Sequence, residues 1–187
     1  MRSISKIKKY TAAMSELLKS KPLDKVRISE ICEMCGTDRQ NFYYYFHDKY
    51  DLASWIFRLD FIDAMKEKKS YEEDQRIAIL EKVRSNKMIY LKLLKDNSQN
   101  SLRSYLWENV EKILEYTQKN HPEISRVTDA EKCGLLLSFN EWMESMVLWL
   151  DGKYDISLQE LAHIHTIESP IELEYIYEYF IVRDDIG

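Results

Sequence analysis

Apolar residues recur at intervals of three and four along most of the chain, which is the spacing that places them on one face of an α-helix. The first stripe is Ile4, Ile7, Thr11, Met14 and Leu18, and Pro22 ends it. The same pattern predicts further helices over 28–34, 39–45, 48–62, 73–95, 100–119, 127–151 and 157–168. The sequence therefore predicts an all-α protein.

The tail over 171–187 fits two structures. Its segment "YIYEYFIV" is rich in residues that favour strands. Leu173, Ile176, Tyr177 and Phe180 also form a helical stripe, and no other segment of the sequence looks like a partner strand. We therefore expect a helix here.

Few residues in this chain favour turns. Only 4 Gly and 3 Pro occur in 187 residues, which favours long helices with few joints over a barrel or sandwich. Gly36 separates the short predicted helices 28–34 and 39–45, and Asp38 and Asp48 are suitable N-caps for the helices that follow them. Two short helices joined by a tight turn form a helix-turn-helix, which places its second helix in the DNA major groove.

Charge is spread unevenly along the chain, whose net charge is −5. Residues 1–50 hold ten Lys and Arg against six Asp and Glu, whereas the rest holds 17 against 26. A basic first quarter is typical of a polyanion-binding head, although chance variation on a charge-rich surface explains it equally well. The most apolar stretch, 133–150, carries Glu141 and Glu144, and no secretory segment opens the chain. We expect a cytoplasmic protein that does not enter a membrane.

Residues 31–52, "ICEMCGTDRQNFYYYFHDKYDL", resemble the amino-terminal domain of the tetracycline-repressor (TetR) family, and the similarity extends over about 7–57. The resemblance implies a helix-turn-helix DNA-binding domain over 1–49 and a helical domain for effector binding and dimerisation over 50–187. A weaker resemblance over 93–108 and 135–161 is to the branch of the family that includes the dihydroxyacetone-kinase operon activator. It does not decide between activation and repression.

The segment departs from the family pattern at three positions. Arg27 stands where a threonine commonly caps the first helix of the motif, so Ser29 is expected to start that helix later. Thr37 replaces the usual valine of the turn. Asp38 replaces a serine, which preserves the capping chemistry but adds a negative charge near DNA.

The second helix of the motif and the residue after Asp48 supply the candidate DNA contacts. They are Arg39, Gln40, Asn41, Tyr43, Tyr44 and Lys49. Arginine and glutamine can each form two hydrogen bonds with guanine and adenine edges respectively. By resemblance, Tyr43 and Lys49 contact phosphate. Packing within the small domain is an equally good interpretation of the tyrosine run, and Phe42 and Phe46 are expected in its core.

Cys32 and Cys35 have the spacing of a metal site or a redox pair. Zinc needs about four ligands, and the only other thiol, Cys133, is distant in sequence. Both positions usually hold small packed alanines in the family, and a free cysteine behaves as a small hydrophobe. Packing is the favoured interpretation, with redox sensing and metal binding as alternatives.

An effector pocket is predicted from large apolar residues in the second domain, with an ordinary core as the alternative. The candidates are Tyr90, Trp107, Phe139, Trp142, Met143 and Met146. Glu141 and Glu144 are one helical turn apart, but no nucleophile, metal-ligand set or phosphate loop accompanies them. His163 and His165 are expected on different helix faces. The sequence predicts neither an enzyme nor a metal or cofactor site.

These features together predict an effector-responsive, homodimeric transcriptional regulator that recognises a palindromic operator. Its expected partners are double-stranded DNA, a second copy of the chain and an unidentified small-molecule or protein effector. The last two long predicted helices, about 127–151 and 157–180, are expected to form the dimer interface. The alternative is a partner or co-regulator protein that retains the helix-turn-helix scaffold without binding DNA.

Overall fold

The computed structural model describes residues 3–66, 72–98, 101–122, 127–167 and 173–184. Within these ranges the chain forms ten α-helices, a short 3₁₀ turn at Leu23–Lys25 and no strand, which confirms the all-α prediction. No helix in this part of the chain is long and apolar enough to cross a membrane. The helices are α1 (Ile4–Ser20), α2 (Ile28–Met34), α3 (Arg39–Tyr45), α4 (Lys49–Lys66), α5 (Glu72–Ser85), α6 (Lys87–Leu94), α7 (Leu102–Asn120), α8 (Asp129–Asp151), α9 (Leu158–Ile167) and α10 (Leu173–Asp184).

The starts of α3 and α4 follow local capping chemistry. Asp38 Oδ1 accepts the backbone N–H of Asn41 at 2.7 Å, and Asp48 Oδ1 accepts those of Tyr50 and Asp51 at 2.8 Å. Each carboxylate satisfies N–H groups that have no partner within the first helical turn. Both predicted N-caps are confirmed.

The expectation that Ser29 delays the start of α2 is wrong. The helix begins at Ile28, and the Glu30 carboxylate accepts the backbone N–H of Arg27 at 2.9 Å. Glu30 thus satisfies a free donor from inside the first turn, as the acidic member of a capping box does. The same carboxylate pairs with Lys21 at 2.6 Å, which connects α2 to the residues that follow α1.

The helix predicted over 73–95 is two helices, with a break at Asn86. An unbroken helix would place Lys87 in the buried stripe with Val83 and Tyr90. The break leaves Lys87 exposed while α6 still buries Tyr90. Burial of a lysine side chain without a partner costs far more free energy than the interruption of one helical turn, which accounts for the difference.

Helix α4 is the central element of the molecule. It packs against α1, α5, α7 and α10, and every side chain from Leu52 to Arg58 is buried. One continuous set of buried apolar residues runs from Ile7 to Phe180 through this helix. Helix α4 begins at Lys49 and packs against α1 of the predicted first domain as well as α5, α7 and α10 of the predicted second domain. The division into 1–49 and 50–187 therefore stays a prediction.

Two lysines contact the backbone of residues 18–26, which comprise the end of α1 and most of its connection to α2. Lys92 Nζ on α6 donates to the carbonyl oxygen of Leu18 and, at 3.3 Å, to those of Lys19 and Lys21. Lys49 Nζ donates to the carbonyls of Asp24 and Val26 at 2.8 and 3.0 Å. A cation at a helix carboxyl end satisfies carbonyls that have no partner within the helix.

Candidate nucleic-acid interface and cavity

The inner face of α3 is fixed by an aromatic cluster. The ring of Tyr10 on α1 lies 5.8 Å from that of Phe42 and 5.4 Å from that of Phe46, both edge to face. Phe42 and Phe46 are fully buried, as expected, so α3 cannot rotate without opening this core. Tyr10 OH also donates to Thr37 Oγ1 at 3.2 Å, which gives the unusual turn threonine a hydrogen-bond partner.

Cys32 and Cys35 lie buried beside the same cluster as free thiols. Cys32 Sγ contacts the carbonyl oxygen of Asp38 at 3.4 Å, and Cys35 Sγ contacts that of Lys9 at 3.7 Å. Burial raises the pKa of both thiols, which disfavours the reactive thiolate. These contacts support the packing interpretation of the C-x-x-C spacing.

The outer face of α3 presents five of the six predicted DNA-contacting residues to solvent. Arg39, Gln40 and Asn41 are exposed, and Tyr43 and Tyr44 are 51% and 60% exposed. Large exposed aromatic side chains on a helix whose opposite face is locked form a surface suited to a partner. The structure therefore brings these five residues together on one surface.

Two polar candidates on this side of the molecule already have partners within the protein. Asn41 Nδ2 donates to Asp38 Oδ1 at 3.1 Å, so the Asp38 carboxylate accepts two hydrogen bonds and its charge is partly compensated. Lys49 is half-buried, and burial lowers its pKa. Its Nζ donates to the two carbonyls described above, so it has a structural contact besides any contact with DNA.

Lys6 and Lys9 on α1 are two further cationic groups near the motif. Both side chains are exposed, and the carbonyl of Lys9 touches the thiol of Cys35 at the end of α2. The basic run "KIKK" at 6–9 contributes to the charge bias of the first quarter of the chain. Neither lysine was among the predicted site residues, because the run shows charge but not which helix lies beside it.

A cavity of about 280 Å³ lies among α4, α5, α7, α8, α9 and α10. Phe57 and Phe61 of α4 and Phe180 of α10 form part of its apolar wall. Of the six predicted pocket residues, Phe139 and Trp142 line it. The ring of Trp107 lies 5.6 Å from that of Phe139 at a tilt of 51°, whereas Tyr90, Met143 and Met146 are buried in the core outside the lining.

His165 on α9 is a buried histidine in the cavity wall. Its Nδ1 accepts from Trp142 Nε1 at 2.7 Å, and its Nε2 lies 2.9 Å from Ser145 Oγ. Since the indole N–H can only donate, the imidazole proton is on Nε2 and is donated to Ser145, which donates in turn to the carbonyl of Trp142 at 2.8 Å. Burial, aided by the charge of Arg76, lowers the pKa of His165 to about 3, so the ring is neutral.

The neighbouring polar residues have separate roles. His163, two positions earlier, is exposed and lies 3.2 Å from Glu73, so the two histidines occupy different faces, as predicted. Glu144 pairs with Arg103 at 3.0 Å, while Glu141 lies in the cavity lining. The described residues contain no cluster of three potential metal-ligating side chains.

A short bracing helix, a turn at Gly36 (φ 58°) and a capped helix with an exposed polar face define a helix-turn-helix protein. Residues 11–54 match the family model described as "Bacterial regulatory proteins, tetR family". Residues 11–54 are thus similar to the DNA-binding domain of tetR-family regulatory proteins, which agrees with the resemblance found in the sequence. Transcription regulation is the class of function that such a domain defines.

The relatives extend the similarity beyond this domain. The chain is 27% identical over 112 residues to the "HTH-type dhaKLM operon transcriptional activator DhaS" of Lactococcus lactis subsp. lactis (strain IL1403). That match covers 58% of this chain and 60% of the relative, so about two fifths of the relative lies outside it. The resemblance to this branch of the family is confirmed.

A solved structure, "Dihydroxyacetone kinase operon activator DhaS", shares the fold of almost the whole chain. The two superpose with a TM-score of 0.56 over 89% of this chain and 95% of that one, at 21% sequence identity. The shared fold therefore extends well beyond residues 11–54.

Proposed function

We propose that this protein is a homodimeric transcriptional regulator that binds a palindromic operator and responds to an effector. The observation that carries the proposal is the exposed face of α3. Arg39, Gln40, Tyr43 and Tyr44 project from a helix whose inner face is locked by Phe42 and Phe46 and whose start is capped by Asp38. Rigid presentation of polar side chains is what readout of base edges requires.

The residues on this surface divide into those that read bases and those that position the protein. Gln40 and Arg39 reach base edges, because their side chains can each form two hydrogen bonds with one base. Tyr43 and Tyr44 contact phosphate and sugar, and Lys6 and Lys9 add charge where α1 approaches the backbone. Asn41 and Lys49 contact DNA through the N–H groups that do not donate to Asp38, Asp24 or Val26.

Dimerisation is proposed through the exposed side of α8, joined by the helices that follow it. Leu137 is 62% exposed and Leu136 is 37% exposed on the amino-terminal half of this helix. Leucines at such positions are usual where a second subunit covers them. A two-fold protein matches a palindromic operator when its two reading helices are about 34–36 Å apart.

The effector-responsive part is proposed to be the body over 50–187, with 1–49 as the DNA-binding domain. The cavity supports this division, since its lining starts at Phe57 and includes no residue of α1, α2 or α3. Residues of α4 contribute to the cavity, and the same helix begins beside the DNA-binding domain at Lys49. A ligand that shifts α4 would therefore change the position of α3.

The test is selection of duplexes from a randomised pool with the purified protein, followed by binding isotherms at several salt concentrations. We expect a two-fold symmetric consensus and a steep fall of affinity with salt, because each neutralised phosphate contributes about −0.9 to the logarithmic slope. A dimer that enriches no sequence and binds no duplex contradicts the proposal. That outcome supports the co-regulator alternative, which the net charge of −5 and the acidic Asp38 favour.

A further inference from the structure

The cavity wall combines a large apolar surface with one buried cation. Phe57, Phe61, Leu106, Ile113 and Phe180 supply much of the apolar part. Arg76 of α5 lies in the same wall and is only 6% exposed. A guanidinium group is always charged in proteins, so this cation lies beside a space lined mostly by hydrocarbon.

Only some of the hydrogen-bond donors of Arg76 have acceptors within the described protein. Its Nη2 donates to Glu72 Oε1 at 2.6 Å, an ion pair in which the carboxylate is nearer to solvent than the guanidinium. Its Nε is buried and has no hydrogen-bond partner among the described residues. A buried donor without an acceptor destabilises the protein by about 1–3 kcal/mol, and more for a charged group, unless a bound molecule supplies the acceptor.

Two of the other polar groups of the wall, His165 and Asn109, already have hydrogen bonds within the protein. Both ring nitrogens of His165 are engaged by Trp142 and Ser145, and the ring is neutral. Asn109 Nδ2 donates to the carbonyl of Tyr105 at 2.6 Å. Among the described lining residues, Arg76 is therefore the only cationic group that faces the cavity.

We propose that this cavity binds a small apolar molecule that ends in a carboxylate, with the carboxylate accepting from Arg76 Nε and the apolar part among the phenylalanines. Binding at this site is inferred from the cavity alone, whereas its role as the effector site rests on the proposed function. A volume of about 280 Å³ corresponds to roughly nine water-sized groups at about 30 Å³ each, so an acid of about ten non-hydrogen atoms is the right size.

Glu141 is the one acidic residue in the lining, and it opposes an anion only weakly. Its side chain is exposed on α8, so its charge is solvated and screened. Glu141 and Arg76 thus provide a matched pair of substitutions within one cavity. One removes the proposed carboxylate partner, and the other removes an acidic neighbour without changing the size of the side chain.

The experiment compares octanoate, 1-octanol and octylamine by calorimetry on the wild-type protein. The three probes share an apolar chain and differ in the charge of the end group. We expect octanoate to bind at least tenfold more tightly than 1-octanol, and octylamine to bind most weakly, because Arg76 attracts only the carboxylate. Equal affinity for octanoate and 1-octanol overturns the proposal without any variant being needed.

The variants locate the interaction at one residue. R76Q is expected to lower octanoate affinity at least tenfold and to leave 1-octanol binding within about twofold, whereas E141Q leaves octanoate binding unchanged or slightly tighter. R76K keeps the charge but lacks the Nε donor, so we expect an intermediate loss. Octanoate binding that R76Q does not weaken places the carboxylate elsewhere and overturns the assignment.

Titration of a selected duplex with and without octanoate separates this inference from the proposed function. Arg76-dependent binding of octanoate that leaves duplex affinity unchanged supports the site and contradicts an effector role for it. Tight duplex binding by a protein that takes up no octanoate contradicts the site and leaves the regulator proposal standing.

Discussion

Gln40 and Lys49 are the two residues that best separate base reading from positioning. Gln40 is exposed on α3, whereas Lys49 is half-buried against the carbonyls of Asp24 and Val26. We expect Q40A to weaken binding to the selected duplex by roughly 1–3 kcal/mol and to relax preference at one symmetric pair of positions. K49A is expected to weaken binding to all sequences alike and to lower the salt slope by about one unit.

Isotherms on selected and scrambled duplexes at two salt concentrations give both quantities. Urea unfolding of K49A shows how much of its effect arises from the lost carbonyl contacts. A change of base preference in K49A, together with a change of only the salt slope in Q40A, would mean that α3 lies differently in the groove.

His165 makes folding stability depend on pH. The unfolded chain binds a proton at this residue near pH 6.5, but the folded protein does so only near pH 3. Stability is therefore lost as the pH falls from 6.5 towards 3, by up to about 1.4 kcal/mol for each pH unit. We expect H165Q to show a smaller loss of unfolding free energy between pH 7 and pH 5 than the wild-type protein.

His163 provides the matched control for this measurement. It lies on the same helix, is exposed and contacts Glu73. Urea unfolding of H163Q at the two pH values is expected to follow the wild-type protein. If H165Q and the wild-type protein lose equal stability, the neutral buried state assigned to His165 is wrong.

At the scale of helices, the segments whose ends are set by local chemistry were the most predictable. Helix α3 has the predicted bounds and α2 ends where predicted, because Gly36 and Asp38 act within one or two turns of their own position. The break between α5 and α6 was not predicted from the sequence, because it depends on how these two helices pack against the rest of the protein. The lysine interrupts the hydrophobic stripe, but the sequence does not show that the helix breaks beside it and leaves it exposed.

The two candidate sites also differ in how far the sequence predicts them. The exposed face of α3 follows from one helix and its periodicity, so five of the predicted contacts lie together on it. The cavity depends on the packing of six helices, and its two most informative polar residues, Arg76 and His165, are far apart in the sequence. A lone arginine in a charge-rich helix and a lone histidine carry no signal until the helices that bury them are known.

The contact of α6 with the end of α1 leads to a prediction about Lys92. Its Nζ serves carbonyls of Leu18, Lys19 and Lys21, and the K92M variant leaves them without that donor. We expect a loss of about 1.5–3 kcal/mol in unfolding free energy, since hydrogen bonds to charged groups contribute in that range. Amide hydrogen exchange is expected to quicken at the carboxyl end of α1.

Lys87 is the control on the same helix. It is exposed, so K87M is expected to change unfolding free energy by less than about 0.5 kcal/mol. Equal destabilisation by the two substitutions would show that loss of the ammonium group on α6, and not its contact with α1, is responsible.

On the scale of the whole molecule, α8 faces both the proposed second subunit and the cavity. Leu136 and Leu137 are exposed, while Leu135, Phe139 and Trp142 of the same helix line the cavity. We expect L137E to shift the protein from dimer to monomer in light scattering at micromolar concentration, because a carboxylate would be buried in the interface. Operator affinity is expected to fall with it, since each half-site is then bound separately.

Met88 supplies a control substitution on α6, outside the helices of the proposed interface. It is 62% exposed, and M88E is expected to remain a dimer. A wild-type protein that is monomeric at micromolar concentration counts strongly against the regulator proposal. A dimer that L137E leaves intact would move the interface away from this part of α8.

Lys92, which contacts the backbone at the end of α1, decides where the protein can be recombined with a relative. A graft that exchanges only 1–49 would bring a foreign α1 end onto Lys92 and keep no native partner for it. The junction between donor and recipient is therefore not one point in the sequence but a matched set of surfaces, which includes α4 and α6. Chimeric regulators built from this chain need Lys92 and the backbone it contacts to come from the same parent.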